Sequence, residues 1–161
     1  MAVDMFLKIS GVEGESADDK HKKEIDVLAW TWGATQSGTM HVGTGGGSGK
    51  VSAQDLSCTK YVDSASHALL LACCNGEHYK EAVLVVRKAG KDPIEYVKIT
   101  MTNVLISSIQ TGGTKDQAER LTEQVSLNFS QIKFEYTPQN ADGSAGATKT
   151  AGWDIAANKK V

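Results

Sequence analysis

The chain has 161 residues and a formal net charge of −2 at pH 7, which suits one domain that buries a core without disulfides or metals. This near-neutral balance gives no basic field, so neither nucleic acid nor an anionic membrane is expected as a main partner. The longest apolar run, Ala68 to Cys74, is far too short for membrane insertion. Asp4 and Lys8 interrupt the N-terminal stretch before a signal peptide could form, which predicts a protein made in the cytoplasm.

The predicted elements are mostly strands in a single domain that covers residues 1–161. Met5, Leu7 and Ile9 alternate with their neighbours in a first strand, and a charged connection follows. Further strands are predicted at about 24–36, 50–62, 80–88, 94–110, 121–137 and 152–157. Two segments are expected to be flexible loops, at about 37–49 and 138–151, because their composition cannot pack.

The strand at 24–36 is largely apolar on both of its faces. Period-two alternation places Leu28, Trp30 and Trp32 on one face, which is predicted to meet the core. Ala29, Thr31 and Gly33 project from the other face. A strand covered on both sides is typical of a barrel or sandwich that also packs against a second surface.

The loop from Ser37 to Gly49 is rich in glycine and invites comparison with a phosphate-binding loop. That motif needs a glycine five residues before the Gly-Lys pair and a serine or threonine after it. Thr44 and Val51 occupy those positions here. The loop is therefore predicted to be a flexible connection with an external task.

One helix is predicted, from Ser64 to Asn75, with Asp63 or Ser64 as its N-cap and Gly76 at its end. It is apolar nearly all round, so it must be covered on more than one side. Either the barrel or a neighbouring subunit could supply that cover.

The strand at 121–137 changes the parity of its apolar residues. Val125, Leu127 and Phe129 share one parity, whereas Ile132, Phe134 and Tyr136 share the other. A β-bulge at Ser130–Gln131 is predicted to bend the strand and keep both halves on the core. The opposite face of the first half is polar but uncharged; it consists of Thr122, Gln124, Ser126 and Asn128. Trp153 and Ile155 then predict a terminal strand that docks on a sheet edge.

The sequence predicts no catalytic, cofactor-binding or metal-binding residues. Cys58, Cys73 and Cys74 are interpreted as small hydrophobic residues, since an adjacent pair is not a redox or zinc spacing. The four histidines lie in four different local settings, without a metal-type spacing. No nucleophile elbow is present, so the protein is predicted not to be an enzyme.

Two function classes remain on these grounds. The first is a ring of subunits joined head-to-tail, in which each subunit offers one patch to a different patch of the next. The second is a monomeric ligand-binding β-barrel whose interior holds a small apolar molecule. Bulky residues predicted for the interior argue against the second class: Trp30, Trp32, Phe129 and Phe134.

A set of segments spread over the chain carries a family resemblance: MAVDMFLKISGVEGES, EIDVLAWTWG, SGTMHVGTGGGSGKV, QDLSCTKYVD, LLLACCNGEHY, VRKAG, ISSIQTGG, ERLTEQVSLNF and GWDI. In this order they resemble the haemolysin-coregulated protein (Hcp) family, the secreted tube component of type VI secretion systems. The resemblance implies a mainly β fold, a small antiparallel β-barrel or sandwich with one α-helix, that assembles as a homo-hexameric ring. It also implies stacked rings, a spike protein (VgrG-like) at the tip, a contractile sheath, and small secreted effectors in the channel, with export that needs no signal peptide and reaches target cells.

The resemblance also suggests two sets of functional residues. In the family the strand that matches 24–36 lines the channel. The expected channel-facing residues are Ala29, Thr31, Gly33, Thr122, Gln124, Ser126 and Asn128. The expected ring-stacking residues are Met40, His41, Val42, Gly43, Gly45, Gly46, Gly47, Gly90 and Ile155.

Overall fold

The computed structural model describes residues 2–38, 40, 41, 43, 50–88, 90–116 and 120–161. These residues form ten strands and one helix. In chain order they are β1 (Val3–Ile9), β2 (Ile25–Thr31), β3 (Ala34–Thr35), β4 (Ser52–Ala53), β5 (Leu56–Tyr61), α1 (Ser66–Asn75), β6 (His78–Lys88), β7 (Glu95–Thr111), β8 (Thr122–Tyr136), β9 (Lys149–Asp154) and β10 (Lys159–Lys160). The segment predicted as one strand at 24–36 is thus divided, and its last part, β3, pairs with β4 in a separate two-stranded sheet.

Six strands close into an antiparallel barrel in the order β8-β5-β2-β1-β6-β7, and the pairing of β7 with β8 completes the circle. Closure gives each of the six strands two neighbours and leaves none of them as a free edge. β9 then pairs with the second half of β8, and β10 pairs with β9. The predictions of a mainly β fold, of a small barrel with one helix, and of a terminal strand docked on a sheet edge are confirmed.

The core lies inside the barrel and beneath α1, which packs on β7. Its fully buried side chains come from all six barrel strands and the helix; they include Leu7, Ile25, Leu56, Leu69, Leu84, Ile99, Met101 and Leu127. These side chains occupy the space that a small apolar ligand would need. The packed interior therefore argues against the ligand-binding barrel.

β2 contains a β-bulge that the sequence pattern did not reveal. Its pairing with β5 shifts by one residue between Val27 and Ala29, so the alternation of side chains changes phase there. Ile25 and Val27 are buried, Trp30 packs half-buried against the core, and Leu28 is 40% exposed. The prediction that Leu28 shares the core-facing side with the two tryptophans is wrong, because the extra residue turns Leu28 outward.

The parity change in β8 is present, but a bulge at Ser130–Gln131 does not cause it. Phe129 and Ile132 are both buried, and their pairing with β7 keeps one register through this point. Instead β7 changes face at the same place, where Asn103 has a positive φ of 54°, a conformation that asparagine tolerates better than most residues. The Asn103 amide donates a hydrogen bond to Ser130 Oγ at 3.2 Å. The two strands thus change face together.

Beyond this point β8 leaves the barrel, and fewer of its apolar residues reach the core. Ile132 is buried, whereas Phe134 is 37% exposed and Tyr136 is also exposed. The prediction that Phe134 fills the interior is therefore wrong. This half of β8 instead pairs with β9 and extends the sheet beyond the barrel.

α1 begins two residues later than predicted and ends as predicted. The Asp63 carboxylate accepts a hydrogen bond from the Ala65 N–H at 2.9 Å, just ahead of the first turn. Gly76 adopts the left-handed conformation and donates its N–H to the Ala72 carbonyl, which is the expected role of glycine after a helix. The barrel covers Leu69 and Ala72 but leaves Leu70 and Leu71 more than half exposed.

The segment between β8 and β9 folds back on itself through backbone hydrogen bonds. Gly146 donates to the Pro138 carbonyl at 2.7 Å, and Asn140 donates to the Ser144 carbonyl at 2.8 Å. β9 begins directly afterwards, and the Ile155 N–H donates to the Ser130 carbonyl. That this segment is flexible stays a prediction.

A buried charged cluster ties β5, β8 and the start of α1 together. Lys60 of β5 is fully buried, and its ammonium group donates a hydrogen bond to Glu123 of β8. The same nitrogen lies 3.0 Å from Asp63 Oδ1 and 3.2 Å from Ser66 Oγ. Ser66 also donates to Glu123 at 2.5 Å. Since burial of a charge is costly without partners, these contacts make the position of the helix depend on Lys60.

We predict that Glu123→Ala destabilises the fold by about 3 kcal/mol, because it leaves the buried Lys60 charge with less compensation. Urea unfolding followed by circular dichroism measures the change. Glu13→Ala is the matched control, since it removes only the exposed Glu13–Lys23 pair at 3.6 Å, and its effect should stay within about 0.5 kcal/mol. Equal losses of stability in the two variants would contradict the role of Glu123 as the partner of the buried Lys60 charge.

Candidate functional surface

Uncharged and mostly small side chains form two rows across the outer side of four neighbouring barrel strands. In one row Ala29 pairs with Thr59, Thr59 with Gln124, and Gln124 with Gln110. In the other, Thr31 pairs with Ser57, Ser57 with Ser126, and Ser126 with Ser108. We call this surface the neutral face: Ala29, Thr31, Ser57, Thr59, Ser108, Gln110, Gln124 and Ser126.

The alternation of the strands explains why these side chains point away from the core. Cys58, Val125 and Leu127 lie between the residues of the neutral face and are buried. Every residue of the neutral face is exposed or half-buried. The hydroxyl oxygens of Ser57 and Ser126 lie 2.9 Å apart and share a hydrogen bond between β5 and β8. A shallow depression of about 270 Å³ lies over this part of the face.

Four of the residues predicted to face a channel belong to the neutral face, and three do not. Thr122 lies at one end of it, where it pairs with Tyr61. Asn128 lies at the other end, where its amide donates to Asp55. Gly33 lies beyond the end of β2, and its carbonyl accepts a hydrogen bond from the Gln54 N–H at 2.9 Å.

Sequence reasoning missed the contributions of β5 and β7. Ser57 and Thr59 alternate with the apolar Leu56 and Cys58, which is a signal for a strand with one polar face. Ser108 and Gln110 flank Ile109 in the same way. Only the register of the closed barrel shows that these four side chains share a surface with those of β2 and β8.

The residues predicted to stack rings come from three separate parts of the chain. Met40 is 79% exposed, and His41 and Gly43 are also exposed. Gly90 is exposed in the connection between β6 and β7, and Ile155 packs half-buried against the core after β9. The remaining predicted residues lie outside the described residues: Val42, Gly45, Gly46 and Gly47.

The two ends of the neutral face carry charged side chains. At one end Asp55 accepts hydrogen bonds from Ser107 at 2.6 Å and from Asn128 at 2.8 Å. At the other end the Arg120 guanidinium lies 3.9 Å from the centre of the Tyr61 ring, which is a cation–π contact. The face is therefore neutral along its middle and charged at its ends.

Within the described part of the chain, no three His, Cys, Asp or Glu side chains are placed to hold a metal ion. No helix there is long and apolar enough to cross a membrane. The three cysteines are free; Cys58 is buried, Cys73 half-buried and Cys74 exposed. Burial raises the pKa of the Cys58 thiol to about 12, against a partial lowering by Lys60.

Comparison with known proteins identifies the family. Residues 6–136 match the model of a family described as type VI secretion system effector, Hcp. This match covers most of the chain, so the chain belongs to the Hcp family of secreted proteins of type VI secretion systems. The family resemblance stated from the sequence is confirmed.

Relatives and solved structures agree with this assignment. The chain is 54% identical over 160 residues to the protein hcp1 of Pseudomonas aeruginosa, and the match covers 98% of each chain. It is 44% identical to Hcp1 of Salmonella typhimurium, with a TM-score of 0.84 and full coverage of both chains. A structure of a type six secretion system protein shares 35% identity and a TM-score of 0.93, and covers 99% of this chain and 100% of its own.

We predict that Cys58 resists alkylation by N-ethylmaleimide in the folded protein at pH 8. A pKa near 12 leaves about one thiol in ten thousand as the reactive thiolate at that pH, and burial blocks access. Peptide mass spectrometry after labelling measures the modification of each cysteine. The control is the same protein in urea, where Cys58 should be fully labelled. Rapid labelling of Cys58 in the folded protein would contradict its burial.

Proposed function

We propose that this protein is the ring subunit of a type VI secretion tube, in which a homo-hexamer stacks on further hexamers and the neutral face lines the channel. The observation that carries the proposal is the neutral face itself. It is an open, uncharged surface built across four strands of a barrel whose own interior is filled. An open sheet surface with so few charges is unusual for protein that meets only bulk solvent.

Exposed apolar side chains support assembly into a ring. Leu70 and Leu71 project from α1, and Val62 and Leu121 lie together because the Val62 N–H donates to the Leu121 carbonyl at 2.9 Å. Large apolar side chains of this kind favour burial between subunits. Head-to-tail contacts close into a ring when the rotation between neighbours permits.

The chemistry of the neutral face suits cargo that must be released. Hydroxyl and amide groups offer both donors and acceptors, and small side chains allow close contact with many shapes. Without fixed charge along its middle, the face gives weak and adaptable contacts rather than one specific site. We propose that small effectors bind there during export, which needs no signal peptide and delivers them into target cells.

Ring stacking is assigned to the loop at 37–49 with the Gly90 turn and Ile155. The exposure of Met40 and His41 supports this assignment, because these side chains have little cover within one chain. Family membership supports the further partners of the tube, which are a VgrG-like spike protein at its tip and a contractile sheath around it.

Light scattering at micromolar concentration should give a mass of about six times the 17.2 kDa chain, and negative-stain images should show annular particles. A mass near that of a single chain would refute the ring.

Thr31→Arg tests whether the neutral face contacts cargo. Thr31 is exposed on β2, so a long cation there adds bulk and charge to the channel while the fold is kept. We expect intact hexamers that retain far less effector on co-purification. Thr150→Arg, at an exposed position of β9, is the control and should retain effector. Equal effector recovery from the two verified hexamers would show that Thr31 does not contact cargo.

Replacing 43–49 with a tight turn tests the stacking assignment. Since Ala34–Thr35 and Ser52–Ala53 pair on their own outside the barrel, the barrel and the hexamer should persist. Tube formation, followed by electron microscopy, and secretion should decrease. Loss of the β signal in circular dichroism would instead mean that the loop belongs to the fold.

A further inference from the structure

We propose that Asp55 is a cation-binding point at one end of the neutral face, where it holds the lysine or arginine side chains of a cargo polypeptide. This inference rests on the proposed function, because it takes the neutral face to be the surface that cargo contacts. It adds a preference for positively charged cargo to a surface that otherwise discriminates little between cargo molecules.

The register of the barrel places Asp55 in line with the neutral face. Leu56 pairs with Leu127 and Ser57 pairs with Ser126, so one step back along β5 brings Asp55 beside Asn128. The Asn128 amide donates to Asp55 Oδ1 at 2.8 Å, and the Ser107 hydroxyl donates to Oδ2 at 2.6 Å. One neutral donor thus holds each carboxylate oxygen.

A bulge in β7 supplies the second of these donors. The pairing of β7 with β8 shifts by one residue between Ile106 and Ser108. Ile106 is buried, whereas Ser107 is exposed and Ser108 half-buried, so two successive serines point away from the core. Because bulges re-aim side chains in this way, Ser107 reaches Asp55 while Ser108 stays in the neutral face.

The charge of Asp55 is held in place but not neutralised. None of the ion pairs found among the described residues includes Asp55. Lys60 is buried with Glu123, and Arg120 lies on Tyr61 at the opposite end of the neutral face. A carboxylate has about four acceptor positions, and two hydrogen bonds leave the others open on a half-buried side chain.

An ammonium or guanidinium group is the complement to such a carboxylate. Ser107 and Asn128 already hold the Asp55 carboxylate in one orientation. Less conformational entropy is therefore lost when a cation binds. In the proposed ring each subunit contributes one such group. Several weak contacts to one basic segment then strengthen its binding, because the first contact raises the effective concentration of the segment at the other sites.

Binding of fluorescein-labelled tetralysine to the purified hexamer, followed by fluorescence anisotropy at low salt, tests the inference. Asp55→Asn keeps the shape and a hydrogen-bonding amide but removes the charge. It should weaken tetralysine binding by about two- to fivefold. The binding of labelled tetraglutamate should stay unchanged. Asp19→Asn removes the same charge from a side chain that is 96% exposed in the connection before β2, and it should bind tetralysine as the unmodified protein does.

Equal tetralysine binding by Asp55→Asn and the unmodified hexamer would overturn the inference, as would an equal decrease in Asp19→Asn. Loss of the hexamer in Asp55→Asn would also overturn it, because Asp55 would then serve a contact between subunits. If Asp55→Asn weakens tetralysine binding but Thr31→Arg retains its effector, the cation-binding point stands and the cargo role of the neutral face fails. If Thr31→Arg loses effector while Asp55→Asn binds tetralysine normally, the cargo role stands and this inference fails.

Discussion

The pairing of β8 with three different strands is the constraint on which the rest of the structure depends. Its first half pairs with β5 on one side and β7 on the other, which closes the barrel, and its second half exchanges β5 for β9. Closure fixes the register of β5 against β8, and that register aligns the rows of the neutral face. It also brings Glu123 to Lys60, because Lys60 pairs directly with Glu123 across β5 and β8. Core, surface and helix position thus follow from one strand.

How far the fold can be predicted from the sequence depends on whether the deciding interaction is local. Gly76 was correctly predicted to end α1, because a left-handed residue after a helix is a local requirement that glycine meets. Leu28 was placed on the wrong face, because the bulge in β2 is set by pairing with β5 and leaves no mark in the alternation. The change of face at Ser130 was visible in β8, but its counterpart at Asn103 of β7, a residue distant in sequence, appears only in the pairing of the two strands.

The same distinction applies to the candidate surface. Alternation within β8 selected Gln124 and Ser126, and alternation in β2 still selected Ala29 and Thr31, because both follow the bulge. Thr59 and Gln110 join them only through the barrel register. The place of Asp55 at one end of this face was out of reach of sequence reasoning, since its contacts require both the bulge at Ser107 and the amide of Asn128. Patterns within one strand predict a face, but its boundary and its charge depend on neighbouring strands.

The long ladder between β7 and β8 has a mechanical consequence. It runs from Val97 opposite Tyr136 to Thr111 opposite Glu123, keeps one register past the change of face at Asn103, and shifts by one residue only between Ile106 and Ser108. Hydrogen bonds in an antiparallel pair lie perpendicular to the strands, so a pull along β8 strains many of them at the same moment instead of opening them one after another. The extension with β9 and the barrel are therefore coupled under load. A push or drag applied to the C-terminal end of β8 is shared along its ladder with β7, and the fold resists shearing along the direction in which its longest strands run.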